Sequence, residues 1–324
     1  MRTLGVLTLL SAAVLLCSAA PGLEPLTCRK VNSSVAADKA VHHINEYHDH
    51  GYKFRLHEVQ GNSVEQVDGG CNVKLQLDLR ETKCHTINPK PFEDCEIRSE
   101  LARAVKANCT VLMTIKDGDA NITKYECDTR QVKTNAEMRR IRPDCPILLP
   151  LNDSESLKFI HDMVKLFNIN IAKKHYYILQ DVARITAGKY MHENYAEFVL
   201  VESRCPVGSK IPIEECTPLC PDRADYAYCQ GFEGFECYIN DPKNTTALGP
   251  GEEEPVCGHH ERSQPHDHEH GHGSPPTGGK GKGSIHPLRR FHPCHGFLFN
   301  PDPALHPICP WPLPHRTQNE SRIS

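Results

Sequence analysis

Apolar residues recur at Ala37, Ala40, Val41, Ile44 and Tyr47 or His48, the i, i+3, i+4, i+7 stripe of one amphipathic helix. Asn32-Ser33-Ser34 offers a cap ahead of it, and Gly51 a stop, since glycine takes left-handed geometry without a Cβ penalty. Past Gly51 the period drops to two. Tyr52, Phe54 and Leu56 alternate with Lys53, Arg55 and His57, and Gly61-Asn62 is expected to begin a turn. Asp68-Gly69-Gly70 closes a polar loop. Val73, Leu75, Leu77 and Leu79 then alternate with Lys74, Gln76, Asp78 and Arg80, a half-buried strand. Strands over 111–115 and 122–127 flank the turn Asp117-Gly118-Asp119. One helix against an antiparallel meander is an α+β layer architecture.

The pattern then repeats. Leu157, Ile160, Val164 and Phe167 give the same helical stripe, and residues 176–185 and 195–202 read as the matching strands. Glu81-Thr82-Lys83-Cys84 recurs as Glu202-Ser203-Arg204-Cys205. Each of those cysteines has another after ten intervening residues, Cys95 and Cys216. The chain therefore reads as a duplication. Its hinge is Arg142-Pro143-Asp144-Cys145-Pro146-Ile147-Leu148-Leu149-Pro150-Leu151-Asn152-Asp153, whose prolines fix φ, extend the residues before them and exclude a continuous helix. The expected organisation is a leader at 1–19, a first domain at 20–141 and a linker at 142–153. A second domain follows at 154–240, then a tail at 241–324.

Composition adds the compartment. Residues 1–19 combine Arg2, an apolar run from Leu4 to Leu16 and small residues, the pattern of a secretory signal peptide. No later run reaches the length needed to span a bilayer. A net charge of -4 argues against nucleic acid as partner. Sequons at Asn32, Asn108, Asn121, Asn152, Asn244 and Asn319 agree with secretion. Of sixteen cysteines, the one at Cys17 falls in the leader, which leaves an odd number in an oxidising compartment. Spacing pairs Cys84–Cys95, Cys205–Cys216, Cys109–Cys127 and Cys229–Cys237, and at least one cysteine is left unpaired or bridging between chains. No Ser/His/Asp or Cys/His order stands in a recognisable context, so the chain does not read as an enzyme.

From residue 241 periodicity stops and Gly, Pro and His dominate, a composition that reads as disordered. His259, His260, His266, His268, His270 and His272 lie close together, with further histidines at 286, 292, 295, 306 and 315. Two readings stand, a polar spacer or multidentate Zn²⁺ or Cu²⁺ binding through neutral imidazoles.

The duplicated helix-on-meander, Glu81-Thr82-Lys83-Cys84-His85 and the run from Asp144 to Asp153 resemble the fetuin family of the cystatin superfamily. The tail is similar to that of histidine-rich glycoproteins. The resemblance covers about residues 28 to 240 and reaches Cys309-Pro310. It implies two tandem cystatin-like domains, a Cys28–Cys309 bridge and inhibition of secreted endopeptidases. One branch of the family presents a Cys-x-Asp-Cys-Pro linker to the zinc of astacin-type proteases, which would make Asp144, Cys145 and Pro146 the inhibitory element. Here Arg142 stands where the first cysteine is expected. The cystatin hairpin for papain-type proteases corresponds to Gln66-Val67-Asp68-Gly69-Gly70, where Asp68 replaces a core valine and suits an apolar cleft badly. Metalloproteases therefore come before cysteine proteases as partners. The alternative reading is a carrier of ions or mineral, with Asp78 and its neighbours holding Ca²⁺ and the tail holding transition metals. Lys74 and Gln76 take two of the three places at which the mineral-binding branch has carboxylates. No cofactor is required under either reading.

Overall fold

The computed structural model describes residues 28, 31–188, 194–231, 234–242 and 302–313. In the first unit α1 (Ser33–Tyr47) lies across β1 (Tyr52–Val67), β2 (Gly70–His85), β3 (Val105–Lys116) and β4 (Asp119–Gln131), an antiparallel meander in sequence order. A short helix α2 (Asn135–Ile141) leads to β5 (Ile147–Leu148). In the second unit α3 (Ser154–Asn170) crosses β6 (His175–Ala187), β7 (Asn194–Pro206), β8 (Tyr226–Gly231) and β9 (Phe235–Asn240), with β5 added at the β6 edge. This is the duplicated α+β arrangement that the periodicity predicts.

Alternation explains the sheets directly. On β2 the side chains of Cys71, Val73, Leu75, Leu77 and Leu79 are buried, and Asn72, Lys74 and Gln76 face out. Ala107, Cys109, Val111, Met113 and Ile115 of β3 continue the same inner face. Ala36, Ala37 and Ala40 let α1 approach closely, while Val41 and Ile44 fill the space between. Each buried leucine contributes about 1.5–3 kcal/mol of transfer free energy.

A second mark of the duplication lies in the polar contacts. Asn45 near the end of α1 donates to Val41 O (3.0 Å) and Phe54 O (2.9 Å), and accepts from Phe54 N (2.8 Å). Asn168 near the end of α3 does the same with Val164 O (3.0 Å), Tyr177 O (2.8 Å) and Tyr177 N (2.7 Å). Each asparagine splices its helix to the first strand, so one side chain per repeat bonds three backbone groups.

The expected turn at Gly61-Asn62 is not there. β1 runs on to Val67 and absorbs Gly61 at a register shift, one of three irregularities along the β1–β2 pair. The reversal comes at Asp68-Gly69, with Gly69 at φ +78°. Gly70 is required for a different reason. A Cβ there would sit 2.2 Å from Ile115 O of the neighbouring strand.

Sulfur bridges join Cys84 to Cys95 and Cys205 to Cys216, both at a Cα separation of 5.8 Å, and cross-link two hairpins at Cys109–Cys127 and Cys229–Cys237. The Cys28–Cys309 bridge implied by the resemblance is replaced by Cys28–Cys71, with Cα atoms 5.7 Å apart. Cys71 sits at the open end of β2, where the N-terminal segment arrives and Gln66 holds Cys28 O (3.0 Å). Cys309 and Cys220 are engaged in other disulfides, and Cys145 is a buried free thiol.

The disorder expected from residue 241 onward does not hold over residues 302–313. Residues 302–313 pack as a strap on the first unit. Ala304, Leu305 and Ile308 enter its core, Trp311 exchanges backbone bonds with Tyr125 (2.8 and 3.0 Å), and Gln131 donates to Asp302 (2.6 Å). Averaged composition hid a short apolar stretch whose burial offsets its ordering.

Between the units lies a buried ionic layer. Glu81 of β2 takes Arg98 Nε (2.9 Å) and also Arg184 of β6. Arg98 reaches Glu197 of β7 (3.7 Å), which accepts the hydroxyls of Tyr52 and of Tyr228 (2.6 Å). Burial opposes ionisation of Glu197, but Arg98 and Arg184 hold its carboxyl below the usual range.

Candidate inhibitory site

The linker is fixed at both ends and exposed in the middle. Thr134 and Glu137 form a capping box that starts α2, and Arg142 closes that helix by donating its N–H to Met138 O (2.8 Å). Downstream, Asn135 grips Leu148 in both directions (3.0 Å each), and Leu149 N donates to Ile185 O (3.0 Å). Ile147 and Leu148 pair with Ala187 and Thr186 of β6, while Leu151 N donates to Pro303 O of the strap (3.0 Å). Asp153 caps α3 through Ser156 N (2.9 Å).

Between these anchors Pro143 and Asp144 form a turn. Cys145 N donates to Arg142 O (3.0 Å), and the Cys145 side chain turns inward, 3% exposed. Arg142, Pro143, Asp144 and Pro146 stay at the surface. Asp144 faces out with about half its side chain in solvent, and the Arg142 guanidinium meets both of its oxygens (3.1 and 3.2 Å). That pairing raises the Arg142 pKa. Beneath the turn, Arg103 is buried at φ +60° and donates to Asn135 Oδ1 (2.7 Å) and Lys133 O (3.2 Å). The geometry presents one carboxylate on a buried footing, braced by an arginine.

The hairpin Gln66-Val67-Asp68-Gly69-Gly70 also projects, with Val67 41% exposed at its tip. A cystatin domain model matches residues 21–116. Alpha-2-HS-glycoprotein of Bos taurus is 26% identical over 211 residues, covering 65% of this chain and 58% of its own. Antihemorrhagic factor cHLP-B of Gloydius brevicauda is 31% identical over 182 residues, covering 55% and 52%. Residues 21–116 carry a cystatin domain, and the chain is similar to these proteins over residues of both units. It spans between half and three fifths of the length of these curated relatives. Among solved structures, mouse fetuin-B in complex with crayfish astacin superposes with a TM-score of 0.51 at 22% identity, over 68% of this chain and 73% of that one. Mouse fetuin-B in an inhibitory complex with human meprin beta gives 0.54 at 19%, over 70% and 76%. At these identities the likeness establishes the fold.

Asp78 is not the open carboxylate that the ion-carrier alternative needs. It is 6% exposed and bound to Arg80 (2.9 Å), with Glu58 and Asn108 opposite it on the adjacent strands. No group of three or more potential metal ligands converges among the described residues. His259, His260, His266, His268, His270 and His272 lie outside those residues, as do the leader and the sequons Asn244 and Asn319. Asn32 caps α1 by accepting from Ser34 N (3.1 Å), Asn121 and Asn152 are exposed, and Asn108 is half-buried on β3. No described helix is long and apolar enough to cross a membrane.

Sequence reasoning missed the brace itself. Arg142 reads as the loss of a cysteine, and only the turn shows that its side chain returns to Asp144. The capping box Thr134-Asn135-Ala136-Glu137 was the available signal for α2.

Proposed function

We propose that this chain is a secreted, non-enzymatic endopeptidase inhibitor directed at astacin-type metalloproteases, with Asp144 as the group that meets the catalytic zinc. The observation that carries the reading is the exposed Asp144 carboxylate on a turn anchored at both ends. A carboxylate held in this way loses little conformational entropy on meeting a protease-bound Zn²⁺, where it would displace the attacking water. Arg142 yields one oxygen at small cost, because an exposed ion pair is weak in water. The folds that superpose on this one are those of mouse fetuin-B bound to crayfish astacin and to human meprin beta, which supports the same class of partner. Asp68 at the hairpin tip sets papain-type proteases behind, since burying that carboxylate in an apolar cleft carries a desolvation cost. The disulfides fit the extracellular compartment that the leader implies.

Asp144→Asn is expected to raise the inhibition constant for an astacin-type protease at least tenfold, about 1.4 kcal/mol. The melting temperature should not move, because the side chain packs against nothing in either core. Titration of purified astacin-type and papain-type proteases with parent and variant checks both points. Equal inhibition by the two proteins would transfer the activity to the hairpin at 66–70.

A further inference from the structure

The strap crosses the seam between the two units at a cluster of four histidines around one carboxylate. Asp181 of β6 is 2% exposed; its Oδ2 accepts Gly51 N–H (3.0 Å) and faces His85 Nε2 (3.1 Å). His306 of the strap donates Nε2–H to Val182 O (2.8 Å) and lies 3.6 Å from Asp181 Oδ1. His50 stacks on His306 with centroids 6.3 Å apart, and Asp49 lies 3.3 Å from its Nε2. His48, buried against Phe54, has no hydrogen-bond partner at Nε2 among the described residues. Tyr52 and Tyr228 flank His85, and behind them stand Glu197, Arg98 and Arg184. Gly51 makes the room, for a Cβ there would lie 2.9 Å from the His306 ring.

This seat is wired for neutral rings. His85 Nδ1 accepts Ile87 N–H (3.2 Å), which puts its proton on Nε2 toward Asp181. Asp181 Oδ2 is already engaged by a backbone amide and an imidazole, which leaves Oδ1 alone to face the other rings, so this one carboxylate cannot balance several protonated imidazoles. We propose that residues 302–313 are an acid-loosened strap, seated across both domains and against the linker at neutral pH and freed as the cluster takes up protons. The inference is independent of any protease.

Burial, reinforced by neighbouring rings, holds His48 down to about 3; burial also lowers His50, against the pull of Asp181 and Asp49. Lifting the strap exposes both to water, where an imidazole titrates near 6.5. Release therefore binds protons. The seat is fully stable above about 6.5 and weakens as pH falls. Between pH 7.4 and 5.5 His48 shifts the opening equilibrium by about tenfold, and His50, lowered by burial, adds to the shift in the same direction. The strap amides of Ile308, bound to Thr129 Oγ1, and Trp311, bound to Tyr125 O, report the opening. Leu151 N, bound to Pro303 O, reports its spread into the linker.

Hydrogen exchange on the full-length protein, corrected for intrinsic rates, should show protection of these three amides falling by more than about tenfold from pH 7.4 to 5.5. Leu77 in the centre of β2 should keep its protection. The double substitution His48→Gln, His50→Gln should abolish the pH dependence, and His50→Gln alone should leave the roughly tenfold share of His48. Gly51→Ala, which crowds the His306 ring, should lower protection of the same amides already at pH 7.4. Parent protection equal at the two pH values would overturn the proposal. So would loss at Leu77 in parallel, or an undiminished pH response in the histidine variants.

Discussion

Glu81→Ala is expected to lower the free energy of unfolding by about 3–5 kcal/mol, far beyond an ordinary charge deletion. Glu81 is 6% exposed and is the shared acceptor of Arg98 and Arg184, one from each domain. Both guanidiniums are buried to a similar degree, and both lie over the Tyr52 ring, at 4.4 and 5.3 Å from its centroid. Removing the carboxylate leaves two buried cations facing Glu197 alone, and its Oε2 already serves both Tyr52 and Tyr228. The loss is thus the cost of stranded charge, not the strength of one ion pair. Glu202 supplies the control, since it holds the same place in the repeated tetrapeptide. Its partner is His175 at 2.8 Å, 28% exposed in its side chain. Glu202→Ala should therefore cost only about 1 kcal/mol. Urea unfolding of both variants separates the cases. Equal losses would mean that water relieves the stranded arginines.

The contrast between these two glutamates also marks what the sequence could and could not disclose. Period-two strands, the helical stripes and paired C-x10-C loops were legible, because burial of one face imposes alternation whatever the partner is. Asn45 and Asn168 were equally present in the repeat, yet an asparagine near a helix end has many uses and spacing does not choose among them. The interdomain layer was not legible. Glu81 and Glu202 look alike along the chain, and only the packing of the domains decides which one is buried among arginines. His306 failed for the opposite reason, grouped with tail histidines by composition while three apolar neighbours were carrying it into a core. At the linker, proline chemistry located the exposed turn and its aspartate. The inward Cys145 and the Arg142 brace depend on α2, a single capped helix of seven residues whose hydrophobic pattern is too short to register.

Phe167→Ala tests whether the buried layer makes the two domains unfold as one. Phe167 lies on α3, fully buried, its ring edge-on to Tyr177 at 4.9 Å and tilted against Phe235 at 6.3 Å. The second core is the smaller of the two, and no other fully buried aromatic ring comes from its helix. Truncation loses the transfer free energy of the ring and leaves a cavity that α3 cannot close while Asn168 ties it to Tyr177. The expected cost is about 3–5 kcal/mol. A domain that unfolded alone would confine this loss to the second sheet. Here β6 and β7 supply Asp181, Arg184 and Glu197 to the first domain, so their departure would leave Glu81, Arg98 and His85 buried without partners or newly exposed. The lower midpoint should consequently appear in both domains at once. Trp311 is the chain's single tryptophan and lies on Tyr125 of the first domain, stacked at 18°, so its emission follows that half. Far-UV circular dichroism follows both. In the variant the two probes should shift together to a lower denaturant concentration. A Trp311 transition that stayed at the parent's midpoint would show two independent domains, and would leave the buried ions as a seam that does not transmit unfolding.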